Sequence, residues 1–499
     1  MRSIIAKNKN SQNNVVEKIV SLAKRRGFIF QSSEIYGGLN GCWDYGPLGV
    51  ELLNNIKSEW WKSMTYRDDV EGIDASILMH PKVWEASGHV DSFTDPMIDC
   101  KTCKARYRLD TLSEQVPDKK KEGIITELSE NLADTDRKTL LEIKSSGLSS
   151  TEKFTEILES ENLINAALAL TNCPNCGNKG NFTNPRNFNL MFKTFVGPVE
   201  STENAVYLRP ETAQGIFVNF VNVQGTSRQK VPFGIAQIGK AFRNEINTKY
   251  FLYRTREFEQ MEMQYFVHPS EDKKWYDYWK DSRMNWFKSM GLRSEKLRYH
   301  DHPQDKLAHY AKEATDIEYE FPFGWGEIEG IHNRTDFDLK HHEEFSGKSQ
   351  KYFDEERKEK YIPYIIETSA GASRSLMAFL IDAYFEEEVK GEIRTVLKFH
   401  PKLSPIKTAI LPLVNKDGMP EVARKIEAEL RMHLRVFYDD KGAVGRRYRR
   451  QDEAGTPYCI TVDGQTLEDN TVTVRERDTM FQERVRIENI LNYLTNKLK

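Results

Sequence analysis

The sequence contains Gln237-Ile-Gly-Lys-Ala-Phe-Arg-Asn-Glu245, followed after six residues by Leu252-Tyr-Arg-Thr-Arg-Glu-Phe258. Polar and apolar residues alternate around both segments, at 233–246 and 256–267, as in strands of an antiparallel sheet. Because side chains alternate between the two faces of a strand, every second residue shares a face. This face carries Gln237, Gly239, Ala241, Arg243 and Glu245 in the first predicted strand, and Phe258, Gln260 and Glu262 in the second.

These side chains suit a binding site. An arginine such as Arg243 makes paired contacts with phosphate oxygens, and a carboxylate such as Glu245 holds a cation or an amine. The small neighbours Gly239 and Ala241 leave room for a ligand. The alternative is a charged face of the sheet that is exposed to solvent.

A third cluster, Glu367-Thr-Ser-Ala-Gly-Ala-Ser-Arg374, joins a predicted strand at 361–367 to an apolar helix at 376–385. Glu367 and Ser369 share a strand face, and Gly371 permits close approach of the backbone. Arg374 lies near the start of the helix, where anions are stabilised. This strand, turn and helix predict a second phosphate site.

The chain has 499 residues, of which 39% are hydrophobic and 29% are charged. Its length predicts two domains, or one large domain with an appended module. The lack of a long apolar run predicts no membrane-spanning helix. The 72 Lys and Arg residues nearly balance 75 Asp and Glu residues, so the net charge of −3 gives no sign of nucleic-acid binding. Arg2, Lys7 and Lys9 begin the chain without the apolar core of a secretory signal, so export is not expected. The lack of acidic residues in this segment leaves organelle targeting as the alternative.

The six cysteines include two Cys-x-x-Cys pairs, Cys100 with Cys103 and Cys173 with Cys176. In a chain that is not exported, such pairs favour a metal over disulfides. Each pair resembles a zinc knuckle, a tight turn that presents two thiolates to one ion. We predict a tetrahedral Zn²⁺ site of four thiolates. The alternative is two pairs of reduced thiols without metal.

The remaining hydrophobic and turn patterns predict further helices and strands and divide the chain into two domains. It predicts a helix at 15–26 capped by Asn14, an irregular glycine-rich stretch at 36–49, a helix at 48–64 and a strand at 70–80. The 69 residues between the cysteine pairs predict a helical insertion. Strands at 408–414 and 434–438 around a helix at 419–433 predict a small α/β domain. We divide the chain into 1–404, with an insertion at about 100–190, and 405–499.

Three segments resemble the motifs of class II aminoacyl-tRNA synthetases. The segment from Phe242 to Glu245 with its basic loop resembles motif 2, and Gly371 to Arg374 before an apolar helix resembles motif 3. The helix and strand that end at Pro81 fit motif 1, which builds the dimer interface in that family. The resemblance implies an α+β fold: an antiparallel sheet flanked by helices, an inserted helical and zinc-knuckle segment, and a C-terminal α/β anticodon-binding domain.

Further segments resemble the homodimeric glycyl-tRNA synthetases. They are Gly37 to Gly49, Arg209 to Gly215, Tyr253 to Glu262, Glu367 to Gly371, Gly445 to Tyr448, Asp452 to Pro457 and Thr473 to Asp478. The resemblance covers the chain from about Val15 to Leu494. It implies a cytoplasmic, homodimeric glycine–tRNA ligase that uses ATP with Mg²⁺ to form glycyl-adenylate and then transfers glycine to the 3′ end of tRNA(Gly).

The resemblance also implies residue roles. Arg243 and Arg374 would hold phosphates, and Arg254 and Arg256 would meet the outer phosphates of ATP. Phe258 would stack on adenine, and Glu327 would hold magnesium or ATP. The implied ATP site comprises Arg243, Asn244, Glu245, Tyr253, Arg254, Thr255, Arg256, Glu257, Phe258, Glu327, Ile328, Gly371, Ala372, Ser373 and Arg374. The implied glycine site comprises Arg108, Glu211, Phe258, Glu259, Gln260, Met261, Glu262, Glu367, Thr368, Ser369, Ala370 and Gly371, in which three carboxylates, those of Glu211, Glu262 and Glu367, surround the ammonium.

Two positions depart from the family pattern. Thr368 stands where the family usually has proline, and Ser373 stands where an acidic residue or glycine is common. Both departures affect the turn between the strand and the helix. Neither removes a ligand.

Two other functions fit part of the pattern. A sister synthetase for proline, threonine or histidine would share the C-terminal domain, but the three carboxylates and the stretch 37–49 argue against it. A catalytically silent paralogue would lack the motif arginines, whereas Arg243, Arg256 and Arg374 are present.

The charge is unevenly distributed. Residues 401–499 carry 18 Lys and Arg against 15 Asp and Glu, a balance of +3, while the remainder carries 54 against 60, or −6. A basic cluster with one aromatic residue suits contact with a single-stranded anticodon loop. The predicted tRNA contacts are Arg446, Arg447, Tyr448, Arg449 and Arg450.

Overall fold

We describe the fold from a computed structural model, which covers residues 15–132, 134–246, 248, 250–308 and 310–499. The predicted cap Asn14 and the basic residues before it lie outside the described residues. The chain divides into two compact units. The larger comprises Met1–Ser87, Lys193–Arg243 and Thr248–Lys499, and the smaller comprises Gly88–Phe192 and Asn244–Asn247.

A seven-stranded sheet is the centre of the larger unit. Its strands lie in the spatial order Leu297–Asp301, Glu313–Phe321, Gly324–Thr335, Tyr364–Gly371, Glu257–Val267, Phe233–Phe242 and Val70–Gly72. All neighbours are antiparallel except the last pair, which is parallel. The predicted hairpin and the strand before motif 3 are therefore adjacent, as the predicted antiparallel fold requires.

Helices cover one face of this sheet. Side chains of the helices Pro47–Thr65, Asp272–Ser289 and Ala372–Asp382 form one buried core with Met261 and Met263 of the hairpin. The apolar stripes of these helices face the sheet, which explains why they form. The other helices of this part are 15–26, Pro81–Ala86, Ala213–Phe217, Phe220–Ser227 and Phe337–Ser346.

Short hairpins and single turns complete this part. The paired strands are Ile29–Gln31 with Trp43–Tyr45, Lys193–Phe195 with Ala205–Tyr207, Tyr352–Asp354 with Glu359–Tyr361, and Tyr384–Val389 with Glu392–Leu397. Short 3₁₀ turns lie at Glu34–Tyr36, Thr202–Asn204, Pro269–Glu271, Ser294–Lys296 and Gln304–Lys306.

Three predicted elements have different bounds. The strand predicted at 70–80 ends at Gly72. Beyond it, the carbonyl of Ala75 accepts a hydrogen bond from the Arg209 guanidinium at 2.7 Å instead of pairing with a neighbouring strand. The strand predicted at 361–367 runs instead from Tyr364 to Gly371, directly after Pro363, which has no N–H to donate. The helix that follows starts at Ala372, earlier than predicted.

The C-terminal residues form a five-stranded sheet. Its order is Val436–Tyr438, Thr408–Pro412, Tyr458–Val462, Thr471–Glu476 and Gln482–Arg486, with the first three strands parallel. The helices Met419–Arg431, Val444–Ala454, Gly464–Asp469 and Ile490–Lys497, with a 3₁₀ turn at Ile487–Asn489, accompany it. This sheet confirms the predicted C-terminal α/β fold.

A buried ionic cluster joins this sheet to the preceding hairpin. Asp452 accepts hydrogen bonds from Arg394 at 2.8 Å and from Arg475 at 2.9 Å. Arg477 donates to the carbonyl of Phe399 at 2.7 Å. Because these groups are buried, the loss of one would leave a charge without its partner. The cluster therefore fixes residues 405–499 against the hairpin Tyr384–Leu397.

The smaller unit has its own core. Its sheet has the order Arg106–Arg108, Thr94–Asp99 and Arg186–Asn189. Its core contains Ile98, Tyr107, Leu112, Phe154 and Leu158. The helices are His89–Ser92, Leu109–Gln115, Asp118–Asn131, Asp134–Ser145, Ser150–Glu159 and Ile164–Leu170. They confirm the predicted helical character of this segment.

Within the described ranges, no helix is both long and apolar enough to span a membrane.

A buried ion pair connects the helical layer to the sheet. Arg283 of the helix Asp272–Ser289 donates to Glu329 at 2.8 Å, and both side chains are at most 1% exposed. The guanidinium also lies over the rings of Trp60 and Trp286, 5.8 and 4.8 Å from their centroids. Burial raises the pKa of Glu329, so its charged form depends on the arginine.

We expect the substitution Arg283→Met to lower the free energy of unfolding by about 3–5 kcal/mol, because Glu329 would lose its partner inside the core. Denaturant unfolding followed by tryptophan fluorescence measures this loss. As a control, Lys230→Met breaks the exposed Lys230–Glu356 pair and should leave the free energy of unfolding nearly unchanged. A similar small loss for Arg283→Met would contradict the role of the pair.

Candidate active site

The polar face of the sheet is set by the register of three strands. Gln237 lies opposite Glu262, and Glu262 lies opposite Ser369. One step along, Gln264 lies opposite Glu367. Residues opposite each other in antiparallel strands share a face. The structure therefore places these five side chains on one face, as the alternation predicts.

The same register removes several predicted residues from this face. Glu259, Met261, Thr368 and Ala370 occupy the intervening positions and belong to the opposite face. Met261 and Ala370 are in the core, Thr368 is buried, and Glu259 forms a 3.0 Å ion pair with Lys57 of the helical layer. This corrects the implied glycine site, because a continuous run of strand residues cannot face one ligand.

Hydrogen bonds connect the carboxyl groups of the polar face. The amide of Gln264 donates to Glu262 at 3.2 Å and to Glu367 at 2.7 Å. Thr212 donates its hydroxyl to the other oxygen of Glu262. Burial, reinforced by the carboxylates of Glu367 and Glu211, raises the pKa of Glu262 well above its usual range. Glu262 therefore retains a proton more readily than an ordinary glutamate.

Glu367 differs because two cationic groups contact it. Arg334 donates to Glu367 at 3.0 Å, and His332 lies 2.8 Å from its other oxygen. Burial alone would raise the pKa of Glu367, but Arg334 and His332 outweigh it and hold the pKa at about 2. Glu367 in turn raises the pKa of His332 against the effect of burial.

Sequence reasoning missed His332 and Arg334. They lie two residues apart on the strand Gly324–Thr335, whose position beside the strand Tyr364–Gly371 is a long-range feature. The alternation of Gly330, His332 and Arg334 was the available signal.

Glu211 completes the acidic group. The amide of Gln214 donates hydrogen bonds to Glu211 at 3.0 Å and to Asp338 at 3.1 Å. Asp338 also accepts a hydrogen bond from Arg334 at 2.8 Å. Glu211, Glu262 and Glu367 are therefore joined through amide and guanidinium groups. A pocket with more buried carboxyl groups than cations favours a bound cation such as an ammonium.

Gly239 is required by close packing behind Glu211. A Cβ atom at Gly239 would lie 2.2 Å from the guanidinium of Arg209. That guanidinium donates to the carbonyls of Lys240 at 2.6 Å and Ala75 at 2.7 Å. Arg209 is thus bound to backbone carbonyls and holds the segment that carries Glu211.

Three predicted phosphate-binding arginines lie near the end of the hairpin. Arg243 lies 5.4 Å from the ring centroid of Phe258 and donates to the carbonyl of Pro210 at 3.0 Å. Arg256 binds the carbonyl of Asn40. Arg254 is half-buried, and no carboxylate of the described residues pairs with it. An unpaired guanidinium of this kind suits an anionic ligand.

The other predicted residues of this loop stabilise it. Thr255 donates to the carbonyl of Glu257 at 3.0 Å, and Glu257 forms a 2.7 Å ion pair with Lys240. These contacts give both side chains a structural role.

Arg374 is held between a carboxylate and an aromatic ring. It donates to Glu327 at 2.8 Å, and its guanidinium lies 4.5 Å from the ring centroid of Tyr253. It also donates to the carbonyl of Tyr253 at 3.1 Å. The motif 2 loop and the motif 3 arginine are therefore in direct contact.

The turn before Arg374 is buried. Ser373 accepts a 2.9 Å hydrogen bond from Tyr45, and Ala372 is buried beside it. Ile328 is also 1% exposed and belongs to the core. Gly371 opens the helix at its N-terminus, where backbone N–H groups attract anions.

Arg108, Asn244 and Glu245 belong to the smaller unit. Arg108 donates to Asp95 at 2.7 Å and lies 3.9 Å from Glu245. The backbone N–H of Asn244 donates to the carbonyl of Leu190 at 2.7 Å. Asp95 is a partner of Arg108 that sequence reasoning missed, because it lies thirteen residues earlier on a neighbouring strand.

The four predicted cysteines converge within the smaller unit. Cys100 and Cys176 have sulfur atoms 3.7 Å apart, as do Cys103 and Cys173. All four sulfur atoms lie within 4.8 Å of one another. Four thiolates at about 2.3 Å from one Zn²⁺ would be separated by about 3.8 Å. The spacing therefore fits a tetrahedral ion.

In the basic helix Val444–Ala454, most of the side chains predicted to contact tRNA are bound to other parts of the protein. Arg447 is 2% exposed and donates to the carbonyls of Pro412 and Leu413, so it cannot contact RNA. Tyr448 hydrogen-bonds to Thr461. Arg450 pairs with Asp439, and Arg449 lies 3.9 Å from Asp452. This corrects the predicted contact set, in which Arg446 is the exposed member.

Three family profiles match the chain. "tRNA synthetase class II core domain (G, H, P, S and T)" matches residues 195–384, and "Anticodon binding domain" matches residues 407–497. "Glycyl-tRNA synthetase insertion domain 1" matches residues 95–190.

A solved structure has the same fold. The prolyl-tRNA synthetase from Cryptosporidium parvum, complexed with halofuginone and AMPPNP, aligns with a TM-score of 0.59 at 13% identity. The alignment covers 96% of this chain and 74% of that one.

Curated relatives match over almost the whole chain. The glycine–tRNA ligases of Treponema denticola and Borreliella burgdorferi are each 52% identical, over 97% of both chains. That of Streptomyces coelicolor is 50% identical, over 97% of this chain and 98% of its own length. With this similarity and the three matched profiles, the chain belongs to the glycine–tRNA ligase family of class II aminoacyl-tRNA synthetases.

Proposed function

We propose that the chain acts as a glycine–tRNA ligase through the polar face of its central sheet. It activates glycine with ATP, forming glycyl-adenylate and pyrophosphate, and then transfers glycine to the 3′ end of tRNA(Gly). The supporting observation is the linked group Glu211, Glu262 and Glu367 on the sheet that carries the motif 2 and motif 3 arginines. A class II core implies the use of ATP with Mg²⁺.

In the first step a carboxylate oxygen of glycine attacks the α-phosphorus of ATP, and pyrophosphate leaves. Negative charge on the phosphates must be neutralised throughout this step. Arg243, Arg254 and Arg374 would do so from fixed positions, so that no reorganisation is needed during reaction. Phe258, whose ring lies beside Arg243, would stack on adenine.

In the second step a ribose hydroxyl of the tRNA attacks the glycyl carbonyl, and AMP leaves. Phosphate contacts that hold AMP also stabilise it as the leaving group. Gly371 at the helix start would bring backbone N–H groups close to these oxygens.

Selection of glycine would combine charge with size. The ammonium would lie among Glu211, Glu262 and Glu367, with Gln260 and Ser369 filling the adjacent sheet positions. A pocket filled in this way rejects any larger amino acid by steric clash, whereas a larger pocket could reject glycine by only about 1–3 kcal/mol per methylene. Arg108 remains a proposed contact of the same substrate.

Glu327 would hold magnesium. Its carboxylate is 41% exposed and is bonded to Arg374, and carboxylate oxygens are preferred ligands of this ion. When bound, magnesium supplies neutralisation of the phosphates. Glu327 would thus orient both the ion and the arginine.

We also propose that the four thiolates hold a structural Zn²⁺. The 3.7 Å sulfur spacing and the two knuckle turns support it. The ion would stabilise the smaller unit, because its ligands join turns about 70 residues apart in the chain.

The assembly and domain division follow the family. We propose a cytoplasmic homodimer with residues 1–404 as the catalytic domain and 405–499 as the anticodon-binding domain. Motif 1 would form the interface, and Val50 and Tyr66 of this segment are 39% and 78% exposed. Arg446 and Arg449 remain proposed tRNA contacts.

We expect the purified protein, with ATP and magnesium, to exchange labelled pyrophosphate into ATP only when glycine is supplied among the twenty amino acids. The physical reason is the acidic group Glu211, Glu262 and Glu367, with Gln260 and Ser369 occupying the adjacent sheet positions. Exchange with another amino acid, or none with glycine, would refute the proposed function.

Two matched variants locate this activity. Arg243→Ala should reduce exchange by at least about 100-fold, because the α-phosphate loses its counter-charge. Lys240→Ala removes a cation on the same strand whose partner is Glu257, and it should retain activity. Both should retain tRNA on a filter, and loss of tRNA retention in Arg243→Ala would mean that the fold had failed.

Elemental analysis of the dialysed protein should give about one zinc per chain. The double substitution Cys173→Ser with Cys176→Ser should lose the metal and lower the melting temperature, since metal binding contributes to folding. Cys42→Ser is the control, because Cys42 lies outside the cluster. A zinc content near zero in the unaltered protein would refute the site.

A further inference from the structure

Two consecutive aromatic residues open the loop that carries Arg254 and Arg256. Tyr250 and Phe251 have φ values of 56° and 59°, in the left-handed region. Bulky residues rarely adopt this conformation, and two in succession are costly. Their surroundings must therefore hold them there.

Each of these residues stacks on an aromatic ring from a distant part of the chain. Tyr250 lies parallel to Phe323, with centroids 4.2 Å apart and an interplanar angle of 14°. Phe251 meets Trp43 edge to face at 4.8 Å and 74°. Phe323 belongs to the turn between two sheet strands, and Trp43 belongs to the glycine-rich stretch. Two segments remote in sequence, those of Phe323 and Trp43, thus pack against the start of the loop.

Tyr253 connects these aromatic contacts to Arg374 of motif 3. Tyr253 donates its backbone N–H to Tyr250 at 3.1 Å, which closes a turn. Its ring meets Phe321 and Phe323 edge to face at 5.4 and 5.2 Å. The guanidinium of Arg374 lies 4.5 Å from the centroid of the same ring. The direction of the loop and the position of Arg374 therefore depend on the same aromatic cluster.

A glycine in the opposing strand permits this approach. A Cβ atom at Gly326 would lie 2.8 Å from the hydroxyl of Tyr253. The next residue is Glu327, the ion-pair partner of Arg374. The hairpin that supplies Phe323 also supplies the carboxylate that holds the arginine.

The loop is also tied to the glycine-rich stretch by polar contacts. The backbone N–H of Arg256 donates to the carbonyl of Gly41 at 2.8 Å, and Thr248 donates to Asn40 at 2.9 Å. These bonds lie beside the Trp43 contact. The glycine-rich stretch therefore binds both ends of the loop, and the aromatic stacks act on its first half.

We propose that Phe323 and Trp43 are positioning residues for ATP: by stacking on Tyr250 and Phe251 they hold the loop in its left-handed turn and so aim Arg254 and, through Tyr253, Arg374 at the phosphates. This inference rests on the proposed function. Neither residue is assigned a contact with substrate, so their effect should fall on ATP affinity and leave glycine binding unchanged.

The test is pyrophosphate exchange by Phe323→Ala with ATP and glycine varied separately. Loss of the stack should raise KM for ATP about fivefold, which corresponds to the roughly 1 kcal/mol that such a stack contributes. KM for glycine and the melting temperature should stay near those of the unaltered protein. Phe323→Tyr, which keeps the ring, should behave normally, as should Phe353→Ala, which removes an exposed ring elsewhere.

A second variant tests the backbone directly. Asparagine tolerates the left-handed conformation without a stacking partner. In the Phe323→Ala background, Tyr250→Asn should therefore recover part of the lost ATP affinity. If Phe323→Ala fails to fold, Trp43→Leu with Trp43→Phe as its conservative partner provides the same comparison.

Three results would overturn the inference: an unchanged KM for ATP, an equal rise in KM for glycine, or no recovery with Tyr250→Asn. Absence of glycine-dependent exchange in the unaltered protein is a separate outcome, which would refute the proposed function itself.

Discussion

Strict alternation of side chains across three antiparallel strands is the constraint on which this site depends. One face of Phe233–Phe242, Glu257–Val267 and Tyr364–Gly371 packs on helices, and the other carries polar groups. A shift of register by one residue would exchange the faces, placing Met261 in the pocket and Glu262 in the core. The apolar helical layer therefore fixes the position of every polar group opposite it.

Within that face, buried charge is balanced by three different means. Glu367 is ionised because Arg334 and His332 contact it, whereas Glu262 is driven towards its neutral form by burial and by two neighbouring carboxylates. Gln264 and Gln214 connect the acids without adding charge. Paired cations, the neutral form of one carboxyl group and neutral amides together stabilise the buried acids of this face.

Local pattern predicted much of this arrangement. Alternation around Gln237 and Glu262 gave the correct face, and the segments around Arg243 and Arg374 resembled motifs 2 and 3. Contacts between distant segments were missed, including the His332 and Arg334 neighbours of Glu367, since strand order is a tertiary property. Arg447 was misassigned because a basic side chain in sequence looks the same whether it binds RNA or buried carbonyls. The tertiary packing around such a residue determines which of these roles it has.

The central claim is that the ammonium of the substrate binds beside Glu262. In the free protein, burial and the neighbouring carboxylates raise the pKa of Glu262, and a nearby ammonium lowers it. Binding therefore releases protons at any pH at which the free carboxyl group is partly protonated. The direct measurement is calorimetric titration with a non-hydrolysable glycyl-adenylate analogue in buffers of different ionisation enthalpy. The account predicts net proton release that disappears in Glu262→Gln. Proton uptake, or release unchanged by that substitution, would contradict it.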